Sequence, residues 1–329
     1  MDKDFGRLTD LIMKHDRFAL ATHINPDGDA IGSTLALGMY LESISKSVFM
    51  TSGAEQVFPD QYRFLPASDS MVDTSSIPSD IDVFIAIDCS TKDRLGETEG
   101  AFDSIDKTVN IDHHRGNTQF ASINLVDEKR ASCSEIVYEL IKRLSVITGE
   151  PIDNNIAVCL YTGIVADTGR FQYSSTRPDT MRSAAELLEN GVDPGFVFRN
   201  MFENQSLARI KLFGVAYLKT HMDQETGVIS SFIKAEDFLN TGTRPSDAED
   251  LVDTLRSVSD VKVAVLIKEI DNGLKVSLRS TGSVDVGHLA EAFGGGGHAM
   301  AAGFSTDMDE DTLMTQIKTI VKSATGADE

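Results

Sequence analysis

Cysteine is scarce in this chain, and a long hydrophobic run is absent. The three cysteines, Cys89, Cys133 and Cys159, are odd in number and show no CxxC spacing, which argues against a disulfide framework. No apolar run approaches the roughly 20 residues that cross a bilayer. The first residues, MDKDFGRLTD, lack the basic and then apolar pattern of a signal peptide. We therefore expect a cytoplasmic protein that does not bind membranes.

Positive charge is also scarce. The chain has 30 Lys and Arg residues against 51 Asp and Glu residues, which gives a net charge of -21. Such a surface repels polyanions at long range, so we do not expect binding of long DNA or RNA. A local pocket for a small anion remains compatible with this charge, because bound metal ions reverse the sign of the local potential.

The length and the pattern of elements predict two domains. A chain of 329 residues is too long for one compact core. Its first half alternates strand-like and helix-like segments, which predicts an α/β domain with a mainly parallel sheet flanked by helices. The predicted strands are 17–23, 47–52, 82–90 and 108–114, and the predicted helices are 30–44, 132–144 and 154–166.

The second half has a different character. We place the first domain at 1–185, a helical linker at 186–222 and a smaller α+β domain at 223–329. Strands are expected at 227–235, 261–270 and 274–280, with a hairpin turn at Asn272-Gly273. Helices are expected at 246–257, 286–293 and 309–324.

Acidic and histidine residues cluster at the ends of the predicted strands. The segments HINPDGD, DCS and DHH each follow a strand, and in an open α/β sheet ligands collect outside those carboxyl ends. A further Asp lies where the helical pattern of GIVADTGRF ends. The candidates are His23, Asp27, Asp29, Asp88, Asp112, His113, His114 and Asp167.

This set of residue types predicts a centre for two divalent metal ions. The four carboxylates of Asp27, Asp29, Asp88 and Asp167 balance two divalent cations, and two such ions form a common clamp for attack on phosphorus. The absence of Cys from the set argues against structural zinc. Oxygen ligands with two imidazoles favour Mn²⁺, while Mg²⁺, Co²⁺ or Zn²⁺ could compete.

At these motifs the sequence resembles the DHH phosphoesterase superfamily. HINPDGD, DCS, DHH and ADTGRF look like its four motifs, in order, and GGGGHAMAAGF at 294–304 looks like the signature of the DHH-associated C-terminal domain. The length is most similar to the branch of oligoribonucleases (nanoRNases) that are also pAp phosphatases. Manganese-dependent pyrophosphatases carry a basic C-terminal signature that is not found here. RecJ-type exonucleases are longer, and membrane-bound cyclic dinucleotide phosphodiesterases have helices upstream of the first motif.

The resemblance implies a role for each residue. His23 and Asp27 would hold one metal ion, Asp29 the other, and Asp88 would bridge the two. His113 and Asp167 would complete the shell of the second ion. His114 would orient the scissile phosphate or donate a proton to the leaving group, and Asp112 would support an imidazole.

Four consecutive glycines precede a histidine near the C-terminus. In this glycine stretch, Gly294, Gly295, Gly296 and Gly297, backbone N–H groups can approach an anion closely, and His298 follows. Arg279 is suited to bidentate binding of a phosphate, and Arg170 is a weaker candidate for the same task. We expect these residues to hold the nucleotide across a cleft from the metal ions.

The expected activity is hydrolysis of a phosphate ester with two metal ions. The expected substrates are short RNA oligonucleotides and 3'-phosphoadenosine 5'-phosphate (pAp). One alternative is a phosphodiesterase for linear or cyclic dinucleotide second messengers, which would use the same residues. Another is a nucleotide sensor without catalysis, but that reading expects lost metal ligands. The sequence is compatible with a homodimer.

Overall fold

The structure is a computed structural model that describes residues 2–53, 58–203, 205–270 and 273–326. The chain divides into two compact units, Met1–Asn204 and Gln205–Glu329. The predicted linker, 186–222, contains this division, and its two bounds remain a prediction.

The first unit contains a five-stranded sheet in the order β2-β1-β3-β4-β5. Every neighbouring pair is parallel. The strands are β1 (Arg17–Thr22), β2 (Ser47–Ser52), β3 (Val83–Ile87), β4 (Thr108–Asp112) and β5 (Ile123–Val126). From β1 the chain adds β2 on one side and then β3, β4 and β5 on the other, so the strand order changes direction between β1 and β3. The carboxyl ends of the strands at such a point form a crevice where ligands bind.

Helices pack on both faces of this sheet, most of them on the face of the larger core. Those of the first unit are α1 (Asp2–Lys14), α2 (Gly28–Ser43), α3 (Glu99–Asp103), α4 (Cys133–Thr148), α5 (Asn154–Asp167), α6 (Pro178–Glu189) and α7 (Pro194–Phe198). The predicted helices at 30–44, 132–144 and 154–166 correspond to α2, α4 and α5. The side chain of Ser132 accepts the backbone N–H of Glu135, so α4 begins at the cap that the sequence predicts.

The central strands β1, β3 and β4 are buried on both faces, as continuous apolar runs predict, whereas the edge strands β2 and β5 are partly exposed. Phe18 and Leu20 belong to the large core shared with α2, α4 and α5, while Ala19 and Ala21 face a smaller cluster with Phe84. This double burial fixes the strand register, because a shift of one residue would exchange the two faces.

Helices α2 and α5 pack unusually closely. A Cβ at Gly32 would lie only 2.4 Å from the carbonyl oxygen of Cys159, so a larger residue could not be accommodated there. The same packing brings Gly28, at the start of α2, next to Ala166, near the end of α5. The amino end of α2 and the carboxyl end of α5 therefore meet at one place.

The second unit contains a six-stranded mixed sheet in the order β10-β11-β9-β8-β7-β6. The strands are β6 (His221–Asp223), β7 (Val228–Ile233), β8 (Val263–Ile270), β9 (Gly273–Ser280), β10 (Gly296–His298) and β11 (Ala301–Thr306). The helices are α8 (Leu207–Leu218), α9 (Ala235–Thr241), α10 (Leu251–Arg256), α11 (Val286–Glu291) and α12 (Glu310–Thr325). The two faces of the sheet bury separate apolar clusters.

The strands predicted at 227–235, 261–270 and 274–280 are confirmed as β7, β8 and β9. β8 and β9 pair in antiparallel register, with Ile270 opposite Gly273. Of the predicted turn, Asn272 lies outside the described residues. The helix predicted at 246–257 is a short 3-10 turn followed by α10. The helices predicted at 286–293 and 309–324 correspond to α11 and α12.

Within the described ranges, no helix combines the length and the apolar character that crossing a bilayer requires.

Candidate metal centre

Three strands of the first sheet end in residues of the predicted metal centre. His23 follows β1, Asp88 follows β3, and His113 follows β4. β1 and β3 are the neighbouring strands at which the strand order changes direction, and β4 lies beside β3. The motifs meet because parallel strands present their carboxyl ends at one edge.

Asp27 and Asp29 both serve the ends of helices. The side chain of Asp27 caps α2 by accepting the backbone N–H groups of Asp29 and Ala30 at 3.0 and 3.1 Å. Asp29, fully buried, lies at the amino end of α4. Its two oxygens accept the N–H groups of Cys133 at 2.5 Å and Ser134 at 2.9 Å. These donors, with the helix dipole, stabilise buried negative charge.

Asp167 reaches the same place as the last residue of α5. The position of Asp167 follows from the close approach of α2 and α5. Gly163, also on α5, makes room for the neighbouring carboxylate of Asp29. A Cβ at Gly163 would lie 2.7 Å from an oxygen of Asp29, so a side chain there would displace that carboxylate. The sequence shows the helix end but not this glycine requirement.

The ligand atoms of these residues form overlapping groups. Within each group the atoms all lie within 4.8 Å of one another, and the groups are His23, Asp27 and Asp88; Asp29, His113 and Asp167; and Asp88, His113 and His114. Nε2 of His23 lies 3.7 Å from one oxygen of Asp88, and Nε2 of His113 lies 3.5 Å from the other. Asp88 thus lies between the two sets.

Two buried atoms at the middle of the centre have polar neighbours but no hydrogen bond of good geometry. Among the described residues, Nε2 of His113 lies 3.5 Å from Oδ1 of Asp88 and 3.0 Å from an oxygen of Asp167, yet neither Nε2 of His113 nor Oδ1 of Asp88 makes an aligned hydrogen bond. Unsatisfied buried groups of this kind cost about 1–3 kcal/mol each. A cation between a carboxylate and an imidazole would satisfy both, so the residues fit a metal centre.

Crowding of the carboxylates shifts their titration. Burial, followed by the charges of Asp167 and Asp88, raises the pKa of Asp29 well above its usual range. Burial also raises the pKa of Asp167 to about 6. Burial alone would raise the pKa of Asp88 as well, but the hydrogen bond with His23 and the charge of His113 lower it. A cation at the centre would stabilise all three carboxylates in their ionised form.

The second histidine of the DHH motif belongs to a different network. Nδ1 of His114 lies 2.8 Å from Oδ1 of the fully buried Asp112. The other oxygen of Asp112 accepts a hydrogen bond of 2.6 Å from Nδ2 of Asn117. The hydrogen bond that His114 donates to Asp112 raises the pKa of His114. His114 is about half exposed, so Asp112 fixes its orientation while its other nitrogen remains free to meet a ligand.

Three residues of the motifs have a strained backbone. Asn25, Asp88 and Arg170 have φ values of 54°, 62° and 64°, in the left-handed region that non-glycine residues rarely adopt. Strain of this kind costs of order 1–3 kcal/mol per residue and is common where a binding site requires a fixed geometry.

The predicted substrate residues of the second unit have structural partners of their own. Nε of Arg279 donates to Asp253 at 3.1 Å, and Nη1 donates to the carbonyl of Leu278. Gly296–His298 form β10, an exposed strand that pairs with β11, so half of the glycine stretch is extended strand. His298 is exposed.

Two glycines of the stretch are required by packing. A Cβ at Gly295 would lie 2.3 Å from the carbonyl oxygen of Gly303 on β11. A Cβ at Gly297 would lie 2.5 Å from Cα of Ala302 on the same strand. Gly297 also has a φ of 146°. Gly296, by contrast, faces open space.

Arg170 is exposed, and its guanidinium lies 4.0 Å from the ring centre of Phe202. That stacking leaves its role in phosphate binding a prediction.

Two residues near the centre lie outside the set that sequence analysis selected. Asn117 holds Asp112, and a polar residue three positions after the DHH motif is a weak signal for it. Arg94 contacts His23 with its Nη2 atom 2.9 Å from Nδ1. In the sequence, the available signal for Arg94 was its place shortly after Asp88, the aspartate of the DCS motif.

Comparison with known proteins agrees with these motifs. Residues 17–164 match the DHH family, N-terminal domain, and residues 225–323 match the DHHA1 domain. The chain is 33% identical over 299 residues to the bifunctional oligoribonuclease and PAP phosphatase of Thermus thermophilus, covering 86% of this chain and 82% of the relative. It is 30% identical over 315 residues to the protein of the same name from Bacillus subtilis, covering 94% and 96%.

A solved structure is similar over nearly the whole chain. An exopolyphosphatase-related protein from Bacteroides fragilis matches with a TM-score of 0.91 at 25% identity, covering 99% of this chain and 98% of that one. The predicted fold class, a parallel α/β domain followed by a smaller mixed-sheet domain, is confirmed. The chain therefore belongs to the DHH family of phosphoesterases, with a DHHA1 domain after its DHH domain.

Proposed function

We propose that the protein hydrolyses short RNA oligonucleotides and pAp to mononucleotides. One observation carries this proposal: His23, Asp27 and Asp88 form one ligand set, Asp29, His113 and Asp167 form another, and Asp88 lies between them. Two relatives that are at least 30% identical over most of their length are named as oligoribonucleases and PAP phosphatases, which supports this choice of substrate.

The two ligand sets are suited to two divalent ions. When bound, such ions stabilise the phosphoryl oxygens as Lewis acids and supply a nucleophile at neutral pH. Four carboxylates and two imidazoles, with no sulfur, favour Mn²⁺ over metals that prefer thiolate. The ligand roles are those that the family resemblance implies, with Asp88 as the bridge.

His114 is suited to handle the proton of the leaving group. Asp112 accepts from its Nδ1, holds the ring in one orientation, and keeps the imidazole protonated to higher pH because it raises the pKa. A protonated His114 can donate from Nε2 to the leaving oxygen, which lowers the energy of the departing alkoxide. Asn117 fixes Asp112 from the other side.

The charge of the protein favours small substrates. A net charge of -21 repels a long polyanion, whereas a dinucleotide or pAp needs only a local positive site. The three cysteines are buried free thiols, which supports a reducing, cytoplasmic location.

The proposal is tested by assaying purified protein, first freed of metal with chelator, on a panel of substrates. The panel contains dinucleotides to pentanucleotides, pAp, linear and cyclic dinucleotide messengers, and pyrophosphate. We expect no turnover without metal, best recovery with Mn²⁺, and fastest hydrolysis of dinucleotides and pAp. Asp88→Ala protein serves as the matched control for contaminating nucleases.

Other outcomes select the alternatives. Faster hydrolysis of cyclic dinucleotides than of short RNA would support the messenger phosphodiesterase. Tight binding of nucleotide without any turnover in the presence of Mn²⁺, Mg²⁺, Co²⁺ or Zn²⁺ would support a sensor. Full activity in metal-free protein would contradict the two-metal centre.

A further inference from the structure

Arg94 lies at the edge of the metal centre without an obvious structural task. It is half-buried, and its Nη2 atom lies 2.9 Å from Nδ1 of His23, one of the proposed ligands. Within the described part of the chain, it forms no ion pair with a carboxylate. Lys92, two residues earlier, pairs with both Asp103 and Glu99.

The backbone of Arg94 is held firmly in place. Its carbonyl oxygen accepts the N–H of Ile24 at 2.9 Å, which ties it to the residue after His23. The next residue, Leu95, is fully buried. Gly96 then adopts a φ of 52°, and a Cβ there would collide with the backbone of Gly53. These contacts fix the backbone of Arg94 beside His23.

The contact with His23 cannot persist when His23 binds a metal ion. Nδ1 of His23 lies 2.8 Å from the carbonyl oxygen of Ile24 and 2.9 Å from the guanidinium of Arg94. The carbonyl needs a proton on Nδ1, whereas the guanidinium needs a lone pair there. Nε2 is the nitrogen that faces Asp88. If Nε2 ligates an ion, it carries no proton, so Nδ1 carries one and donates to Ile24.

A ligated His23 therefore leaves the guanidinium of Arg94 without an acceptor. A half-buried cation without an acceptor is suited to bind an anion, and the planar guanidinium matches two oxygens of a phosphate. We propose that Arg94 binds a phosphoryl oxygen of the substrate beside the ion held by His23. This assignment rests on the proposed function only in that the ligand is a phosphate ester.

The alternative is that Arg94 serves only to position His23. The two roles differ in what happens to metal binding. If Arg94 positions His23, its loss weakens metal binding. If Arg94 binds phosphate, removing its positive charge leaves the affinity for a divalent cation unchanged or slightly increases it, because like charges repel.

The test compares wild type with Arg94→Ala, Arg94→Lys and Lys92→Ala. Lys92→Ala is the matched control, since it removes the same charge from the same short helix, Lys92–Thr98, at an ion pair remote from His23. Two quantities are measured for each protein: Mn²⁺ binding in the absence of phosphate, and the affinity of the Mn²⁺-loaded protein for inorganic phosphate. Thermal unfolding checks that each variant is folded, and Arg94→Gln replaces Arg94→Ala if the latter is not.

We expect Arg94→Ala to weaken phosphate binding roughly 10- to 100-fold, as the loss of a charged hydrogen bond predicts. Mn²⁺ binding should stay at the wild-type level or rise. Arg94→Lys should be intermediate, because it keeps the charge but not the two-pronged geometry. Lys92→Ala should match wild type in both measurements.

Two results would overturn the assignment: unchanged phosphate affinity in Arg94→Ala, or weakened Mn²⁺ binding in that variant. These results are independent of turnover. If phosphate binding depends on Arg94 but neither dinucleotides nor pAp are hydrolysed, the proposed function fails and the assignment of Arg94 stands. If those substrates are hydrolysed equally by wild type and Arg94→Ala, the proposed function stands and the assignment fails.

Discussion

Two regions of the molecule differ in how many of their polar groups already have partners within the protein. The first region is formed by the residues at the carboxyl ends of β1, β3 and β4, and the second by the residues around the glycine stretch. In the first region, Asp88 and His113 each keep a buried atom without an aligned hydrogen bond, and Asp29 is a buried carboxylate with a raised pKa. In the second, Arg279 is paired with Asp253, and Gly295 and Gly297 are needed for strand packing. Buried groups without aligned hydrogen bonds favour binding of a ligand, whereas groups that are already paired can bind one only by exchanging contacts.

The largest test of this comparison is Asp88→Ala. Because the oxygens of Asp88 lie 3.7 Å from His23 of one ligand set and 3.5 Å from His113 of the other, its loss should abolish binding at both ion positions and lower turnover by at least about 10³-fold. The fold should persist, since Asp88 lies past the end of β3 rather than within it. Metal analysis and turnover with a dinucleotide measure this effect. Turnover within tenfold of wild type would show that Asp88 is not the bridge.

Arg279→Ala tests the second region at a lower expected cost. If Arg279 exchanges Asp253 for a nucleotide phosphate, kcat/KM for a dinucleotide should fall about 10- to 150-fold, the equivalent of one charged hydrogen bond. Bis-nitrophenyl phosphate, which has no distal nucleotide, should be hydrolysed at a nearly unchanged rate. Equal losses on both substrates would place Arg279 at the scissile phosphate. No loss on either would show that its pairing with Asp253 is structural.

Asp112→Asn tests a part of the first region that is internally satisfied. The hydrogen bond that His114 donates to the Asp112 carboxylate raises the pKa of His114, so this change should move that pKa down toward its ordinary value. If the protonated imidazole is the active form, activity is then lost at lower pH. The alkaline limb of the kcat profile should shift to lower pH, with about a tenfold loss at neutral pH. An unmoved limb would exclude His114 as the proton donor.

The smallest effects are expected within the glycine stretch. Gly297→Ala places a Cβ against Ala302 at a φ of 146° and should lower the free energy of unfolding by about 1–3 kcal/mol. Gly296→Ala enters open space and should change it by less than about 0.5 kcal/mol. Chemical denaturation of both variants gives the comparison. A loss of nucleotide affinity in Gly296→Ala without a loss of stability would assign that backbone to anion binding.

The features that sequence analysis predicted well are those set by local pattern. Continuous apolar runs such as that of β3 identify buried parallel strands, and three motifs at strand ends predict one shared site because the sheet geometry aligns them. β5, with only the four residues Ile123–Val126, carries too short a pattern to stand out. β10 was hidden because glycines have low strand propensity, and its pairing with β11 depends on close packing that no local rule shows.

Contacts between distant segments were the part that sequence could not supply. Nothing in the order of residues shows that Gly163 makes room for Asp29, or that Arg94 meets His23 across 71 positions. The roles of single ligands came from the resemblance to a family. The same resemblance implied their division between two ions, and the structure adds which ligand atoms lie close to one another.

Asp29 carries a consequence for how sequences of this kind are interpreted. Its carboxylate accepts the first two N–H groups of α4, so it is part of the scaffold as well as a proposed ligand. A descendant that lost hydrolysis would still be selected to keep Asp29, because without it the buried N–H groups of Cys133 and Ser134 lose their acceptor. Retention of this aspartate therefore says little about activity. His113 and Asp167, which cap no helix, are the more informative positions for deciding whether a divergent copy still performs chemistry.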